Sequence, residues 1–308
     1  MPQPPPLARR LIRPALLGLA ATALASCEHG VLAPAGPVAA GERVILFDAL
    51  AIMLTIVVPL IVAIGAFAWW FRASNTRAKR LPTWAFSGAL EIVVWAVPLL
   101  TIMFLGGLTW IATHQLDPYR PLPSKTKPLE VQVVSLDWKW LFIYPEQHVA
   151  SVNALVAPAG APIHFTLTSG SVMNAFFVPQ LGSMIYTMNG MATQLSLQAD
   201  RPGTFEGLSA MFSGDGFPGM RFAMTATTPE GFAGWVKSAQ GATGPVLDER
   251  AYADLAKQSS DVKPFLYRDV SAGLFDAVVA QRIAAGPGPK AGRGSPRVSP
   301  QTPDKPEP

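Results

Sequence analysis

Two long apolar runs near the N-terminus constrain the fold of this 308-residue chain more than any other feature. The first run covers residues 46–71, and the second covers residues 86–113 and contains one carboxylate, Glu91. At a rise of 1.5 Å per residue, each run would form a helix about 39–42 Å long, enough to cross a hydrocarbon core of roughly 30 Å. The sequence therefore predicts a two-helix transmembrane hairpin over residues 44–114.

Composition agrees with a membrane protein and argues against nucleic-acid binding. Half of the residues are hydrophobic, only 14% are charged, and the mean hydropathy is +0.29. The formal net charge of +4 comes from basic residues at the N-terminus, in the short loop between the two runs and in a Pro-rich tail. Because no basic stripe interleaved with aromatic residues occurs in the sequence, we expect the chain to contact a lipid bilayer and no nucleic acid.

The distribution of basic residues predicts the orientation of the hairpin. The loop of residues 72–85 contains four basic side chains and no acidic one. The bias of positive charge toward the cytoplasm places this loop in the cytoplasm and everything after residue 114 in the periplasm. The four basic residues are Arg72, Arg77, Lys79 and Arg80.

The single cysteine, Cys27, follows a segment with the layout of a secretory signal. Residues 1–26 begin with basic residues, continue with a short apolar stretch and end with small residues. The sequence Leu24-Ala25-Ser26-Cys27 resembles a bacterial lipobox, which predicts a lipoprotein signal peptide, a lipidated Cys27 and a periplasmic N-terminal segment over residues 27–43. A plain signal peptide that ends beside a cysteine is the alternative.

The residue types and their spacing change after the hairpin. Between residues 125 and 228, short segments rich in β-branched and aromatic residues alternate with Gly, Pro, Asn and Asp turns, which predicts a β-sandwich or barrel with mostly antiparallel pairing. Residues 229–284 show helical spacing of apolar and aromatic side chains and predict a helical extension. Residues 285–308 have almost no apolar content, and we expect this Pro-rich tail to be disordered.

The hairpin followed by a β-domain resembles subunit II of the haem–copper oxidases. The segment Leu90–Pro98 is similar to the second-helix signature of that family, and Asp137-Trp138-Lys139-Trp140 is similar to its aromatic segment. The resemblance covers residues 25–285. It implies a membrane α + β fold, in which a cupredoxin-like antiparallel β-sandwich or barrel follows the hairpin and carries a C-terminal helical extension.

The segments that would carry the binuclear copper ligands of this family lack the required side chains. The family site uses two thiolates, two imidazoles, a thioether and a backbone carbonyl, and soft copper sites need thiolate. Among the corresponding positions, only Met220 retains the family's ligand type, and no cysteine follows residue 27. The resemblance thus implies that this subunit binds no metal. The six positions, in chain order, are Asn174, Ser209, Met211, Ser213, Phe217 and Met220.

These substitutions resemble the quinol oxidase branch, the cytochrome bo type of ubiquinol oxidase. The resemblance implies a subunit, without an active site of its own, of a proton-translocating respiratory oxidase in the bacterial inner membrane. It places the haems, the remaining copper and ubiquinol oxidation in subunit I, with subunit I and further small membrane subunits as partners and no cytochrome c. It also implies that Trp138 and Trp140 pack at the junction with subunit I.

Glu91 is the residue of this chain for which the resemblance implies a part in proton uptake. Counted from Trp84, it lies about 8–11 Å into the second helix, where a carboxylate is costly unless it faces protein or water. Glu91 matches the family glutamate at the cytoplasmic mouth of a proton-uptake route. A structural, interfacial glutamate is the alternative.

Two other functions remain open from the sequence. One is a cytochrome c oxidase subunit II, which the missing ligands argue against. The other is a membrane lipoprotein that binds a ligand or assists oxidase assembly, which would leave the second-helix signature without a role.

Overall fold

The computed structural model describes residues 30–79, 81–286 and 288. The predicted signal peptide, Cys27 and all but a few residues of the predicted disordered tail lie outside this range. The chain separates into two compact units. One unit is Gly41–Asp117, and the other combines the residues before Gly41 with those after Asp117.

Two long helices dominate the first unit. Helix α1 is Pro37–Trp70 and helix α2 is Gly88–Gln115. Both are long and apolar enough to span a membrane. Helix α1 begins nine residues before the predicted span, because Pro37 is compatible with a first helical turn, where its missing N–H is not needed. Pro59 and Pro98 lie inside continuous helices.

The second unit is built on two β-sheets. The strands are β1 Leu129–Leu136, β2 Lys139–Tyr144, β3 Val149–Val152, β4 Ala154–Pro158, β5 Pro162–Ser169, β6 Asn174–Phe177, β7 Ile185–Thr187, β8 Thr193–Gln198, β9 Gly203–Ser209, β10 Arg221–Thr227, β11 Val246–Leu247, β12 Phe265–Tyr267 and β13 Asp269–Val270. The six-stranded sheet has the order β12-β3-β2-β1-β5-β8, and the five-stranded sheet has the order β4-β10-β9-β6-β7. Most neighbours in these two sheets are antiparallel, but β1 pairs with β5 and β4 pairs with β10 in parallel.

A cluster of aromatic rings fills the space between the two sheets. Phe176 stacks on Phe222 with ring centroids 5.2 Å apart, and Trp140 meets both rings edge-on at 5.4 and 5.7 Å. Phe142 and Phe165 complete the cluster at 5.0–5.2 Å from these rings. Edge-to-face and offset contacts of this kind add about 0.5–1.5 kcal/mol each beyond the burial of apolar area. The β-domain is therefore organised around an aromatic core.

The C-terminal extension is less purely helical than the sequence predicted. It contains the helices α3 Pro229–Gln240, α4 Glu249–Leu255 and α5 Leu274–Val279, as expected. However, β12 pairs with β3 and becomes the edge of the six-stranded sheet. An uncovered edge strand is open to pairing with other chains, so the extension protects β3 from that exposure.

The segment before the first helix also packs on the β-domain. Ala35 N donates to Gln180 O at 2.7 Å, and Asp200 N donates to Ala35 O at 2.8 Å. Gly36 has no room for a side chain, because an added Cβ would overlap the backbone carbonyl of Gln198. Ala39 is fully buried. Residues 35–39 are therefore packed as part of the folded β-domain.

Candidate functional site

Four of the six positions at which the family would carry copper ligands lie close together. Asn174 begins β6, Ser209 ends β9, and Ser213 and Met220 lie in the loop between β9 and β10. All four are buried, with at most 6% of each residue exposed. Chain topology brings them together, because β6 and β9 are antiparallel neighbours.

Hydrogen bonds connect these four residues. Ser209 Oγ donates to Asn174 Oδ1 at 3.1 Å, and Ser209 N donates to Met220 O at 3.1 Å. Ser213 Oγ makes a longer contact of 4.0 Å with Met220 Sδ, a weak acceptor. Asn174 Nδ2 donates to Val172 O at 3.2 Å. The polar groups at these predicted ligand positions thus have protein partners.

The other two predicted positions do not join this cluster through their side chains. Met211 contributes its backbone carbonyl, which accepts from Ser209 Oγ at 3.2 Å. Phe217 lies in a short 3₁₀ turn and packs edge-on against Phe212, with ring centroids 5.6 Å apart. The side chains of Met211 and Phe217 are half-buried.

This set of donors does not fit a binuclear copper centre. It offers one amide, two hydroxyls and one thioether, whereas thiolate and imidazole are the ligands that soft copper sites require. Within residues 30–79, 81–286 and 288, no group of three or more His, Cys, Asp or Glu side chains has the arrangement of a metal site. The side chains at these positions therefore provide neither the thiolates nor the imidazoles that a binuclear copper centre requires.

The loop rests on Trp138, at the turn between β1 and β2. Trp138 has a left-handed backbone conformation, with φ of 64°, and its Nε1 donates to Ser213 O at 2.9 Å. The indole also lies against Gly216, where an added Cβ would overlap the ring. Trp138 thus fixes the loop of residues 210–219 against the β1–β2 turn.

The residues on either side of Trp138 are charged and buried. Asp137 accepts from Ser171 Oγ at 2.6 Å and from Gly288 N at 3.0 Å. Lys139 Nζ donates to Lys257 O at 2.7 Å and to Ser259 Oγ at 2.6 Å. We define Asp137, Trp138 and Lys139 as the anchor turn. No role was predicted for Asp137 or Lys139 from the sequence, although Lys139 stands between two tryptophans next to a strand.

Burial lowers the pKa of Lys139 to about 8, and the nearby Asp137 carboxylate partly opposes this effect. The side chain is 1% exposed, so its ammonium group depends on the surrounding oxygen acceptors in place of water. The anchor turn therefore contains a cation that loses its proton within an accessible pH range.

The prediction that Trp140 packs at the junction with another subunit is wrong. Trp140 is 0% exposed and belongs to the aromatic core, because its position on β2 directs the ring between the two sheets. Its Nε1 has no hydrogen-bond partner among the described residues. Trp138 is half-buried and retains exposed surface, so its predicted contact with another subunit stays a prediction.

Glu91 lies in the first turn of α2, three residues after Gly88. Its carboxylate accepts a hydrogen bond from Trp95 Nε1 at 3.1 Å. This partner was not predicted from the sequence, although a spacing of four residues places two side chains on the same face of a helix. Glu91 is thus a carboxylate in the first turn of a candidate membrane span, with a defined polar neighbour.

Comparison with known proteins agrees with this architecture. The family model described as the cytochrome c oxidase subunit II periplasmic domain matches residues 129–226. The COX aromatic-rich motif matches residues 242–284, within the extension that covers β3. The chain is thus a membrane protein with a periplasmic β-domain.

Whole-length relatives define the family more narrowly. The chain is 47% identical over 270 residues to cytochrome bo(3) ubiquinol oxidase subunit 2 of Pseudomonas aeruginosa, with 88% of this chain and 80% of the relative covered. It is 46% identical over 275 residues to ubiquinol oxidase subunit 2 of Acetobacter aceti, with 88% and 89% covered. Quinol oxidase subunit 2 of Bacillus cereus is 38% identical, with 76% and 81% covered. This chain belongs to the family of quinol oxidase subunit 2.

Replacement of Gly216 by alanine tests the packing of Trp138 on the loop. We expect Gly216→Ala to lower the free energy of unfolding by about 1–3 kcal/mol, because the new methyl group displaces the indole. Gly234→Ala in α3 is the matched control, since nothing lies within 4 Å of its added Cβ. Chemical unfolding of the full chain in detergent, followed by tryptophan fluorescence, measures both. Equal stability of the two variants would contradict this packing.

The pH dependence of stability tests the burial of Lys139. Its pKa is about 8 in the folded protein and near 10.5 when unfolded, so the unfolded chain holds more protons between these values. Stability should therefore rise with pH from 8 toward 10, with a limiting slope of about 1.4 kcal/mol per pH unit.

Lys139→Met should lack this rise, because it removes the titrating group. Burial also raises the pKa of Tyr144 and Tyr252 in the folded protein, and these residues oppose the rise in stability only as the pH approaches 10, where the tyrosines of the unfolded chain ionise. Unfolding curves of both proteins from pH 7 to 10 give the comparison. Parallel pH profiles would show that the Lys139 ammonium is not desolvated.

Proposed function

We propose that this chain is the copper-free second subunit of a proton-translocating quinol oxidase in the bacterial inner membrane. The proposal rests on one observation, the buried cluster of Asn174, Ser209, Ser213 and Met220, which occupies the ligand positions with groups unsuited to copper. Without that metal, electrons enter from quinol directly into subunit I. Subunit I then holds the haems and the remaining copper and reduces oxygen to water.

The hydrogen bonding of the cluster supports a loop that is stable without metal. A buried polar group left without a partner costs about 1–3 kcal/mol, and a vacated metal site would contain several such groups. Here Ser209 and Asn174 satisfy each other, and Trp138 supports the loop through the Ser213 carbonyl. The periplasmic domain then acts as a scaffold that contacts subunit I and further small membrane subunits.

The proposed absence of copper predicts the electron donor of the purified complex. We expect metal analysis of the isolated full chain to find less than one-tenth of a copper per molecule. The assembled oxidase should oxidise ubiquinol and should not oxidise reduced cytochrome c. A near-infrared copper–thiolate absorption that arises from this chain, or rapid oxidation of cytochrome c, would contradict the proposal.

We also propose that Glu91 admits protons to subunit I from the cytoplasm. The basic loop of residues 72–79 supports a cytoplasmic position for the start of α2, and Glu91 lies about 5 Å along the helix from that start. An ionisable side chain inside a span is costly and usually faces protein or water. Lipidation of Cys27 on the periplasmic side would agree with this orientation.

Substitution of Glu91 tests the proton role separately from the copper proposal. Glu91→Ala should slow turnover and proton uptake about three- to tenfold, because the entrance loses its proton-binding group. Glu91→Asp keeps the carboxylate and should retain more activity than the alanine variant. Haem content of the purified complex is the control for assembly. Wild-type turnover in Glu91→Ala would exclude the role while leaving the copper-free scaffold untouched.

A further inference from the structure

In α2, the side chains of Trp95 and Glu91 form a hydrogen bond with each other, whereas the Thr101 hydroxyl bonds to a carbonyl of the helix backbone. The Nε1–Oε2 distance is 3.1 Å, within the ordinary range for an N–H donor. Four residues separate the two side chains, so one turn of helix brings them together. The contact is therefore built into the local geometry of α2.

A membrane environment makes this contact more consequential than it would be in water. Neither an indole N–H nor a carboxylate can form hydrogen bonds to hydrocarbon, so each gains from a partner in the same span. A hydrogen bond to an ionised acceptor is also about twice as strong as one between neutral groups. The pair thus restricts the Glu91 carboxylate to the side-chain conformation that reaches Trp95.

Further polar features share the helix face of Glu91. At about 100° per residue, Val94, Trp95, Pro98 and Thr101 all project within roughly 80° of Glu91. Pro98 has no N–H, so the Val94 carbonyl lacks its usual amide donor. Such a concentration of polar atoms on one face is typical of a surface that meets protein or water.

We propose that Trp95 is a positioning residue for proton uptake at Glu91. This proposal depends on the proton role of Glu91 described above. The Trp95 N–H holds Oε2, which leaves Oε1 as the oxygen that accepts a proton from the cytoplasmic side and releases it inward. The carboxylate returns to its ionised form after each transfer, and the indole keeps its own proton throughout.

The first test removes the N–H and keeps an aromatic ring. Trp95→Phe in the assembled oxidase should slow quinol-driven proton uptake about three- to tenfold and change the pH profile of turnover, because loss of the hydrogen bond frees the carboxylate. Trp95→His retains a ring N–H and should recover part of the loss. Trp110→Phe removes an indole from the same helix away from Glu91 and should behave as wild type.

A double variant distinguishes positioning from general packing. In a Glu91→Gln background, Trp95→Phe should cause no further loss of turnover and no further change in the pH profile. An equal additional loss would mean that Trp95 acts independently of Glu91 and would overturn the proposal. Wild-type behaviour of Trp95→Phe, in a complex whose Glu91 variants are slow, would overturn it as well while leaving the role of Glu91 intact.

Assembly is checked by the haem content of each purified complex. If Trp95→Phe does not assemble, a benzothienylalanine side chain introduced at position 95 replaces the N–H by sulfur at nearly constant shape. That variant should show the same slow proton uptake, and normal uptake would overturn the proposal. Wild-type turnover in every Glu91 variant would instead remove the proton role itself, and with it the function assigned to Trp95.

Discussion

Burial of two opposite charges on either side of one indole organises the periplasmic domain. An unpaired charge in a protein interior is very costly, so Asp137 and Lys139 can remain buried only where other segments supply hydrogen-bond partners. Those partners come from far along the chain: Gly288 is 151 residues from Asp137, and Lys257 is 118 residues from Lys139. The anchor turn thereby ties the C-terminal extension, through Lys257, and the start of the tail, through Gly288, to the six-stranded sheet.

The same turn explains how the loop of residues 210–219 keeps its shape. The Trp138 indole donates a hydrogen bond to the Ser213 carbonyl in this loop. The hydrogen bond between Asn174 and Ser209 joins β6 to the end of β9, where the loop begins. In a metal site, coordination bonds would hold these strands and this loop together. Here hydrogen bonds and an indole contact serve that purpose, which is consistent with a family in which quinol is the electron donor.

The two long helices of the unit Gly41–Asp117 are suited to a hydrocarbon environment instead of water. Along α2, apolar side chains face outward without cost, and the informative residues are the few polar ones. Glu91 and Trp95 satisfy each other one helical turn apart, and Pro98 frees a carbonyl on the same face. Polar atoms are therefore concentrated near one end of α2, although the helix as a whole is apolar.

Local patterns in the sequence determined the two spans, the β-rich character of residues 125–228, the helices of the extension and the absence of thiolate after Cys27. Periodicity and residue type decide these properties within about ten residues. Tertiary structure alone decided that β12 completes the sheet, that Trp140 lies in the core and that Asp137 meets Gly288. Such contacts join segments far apart in the chain, and no local pattern encodes which distant group will satisfy a buried charge.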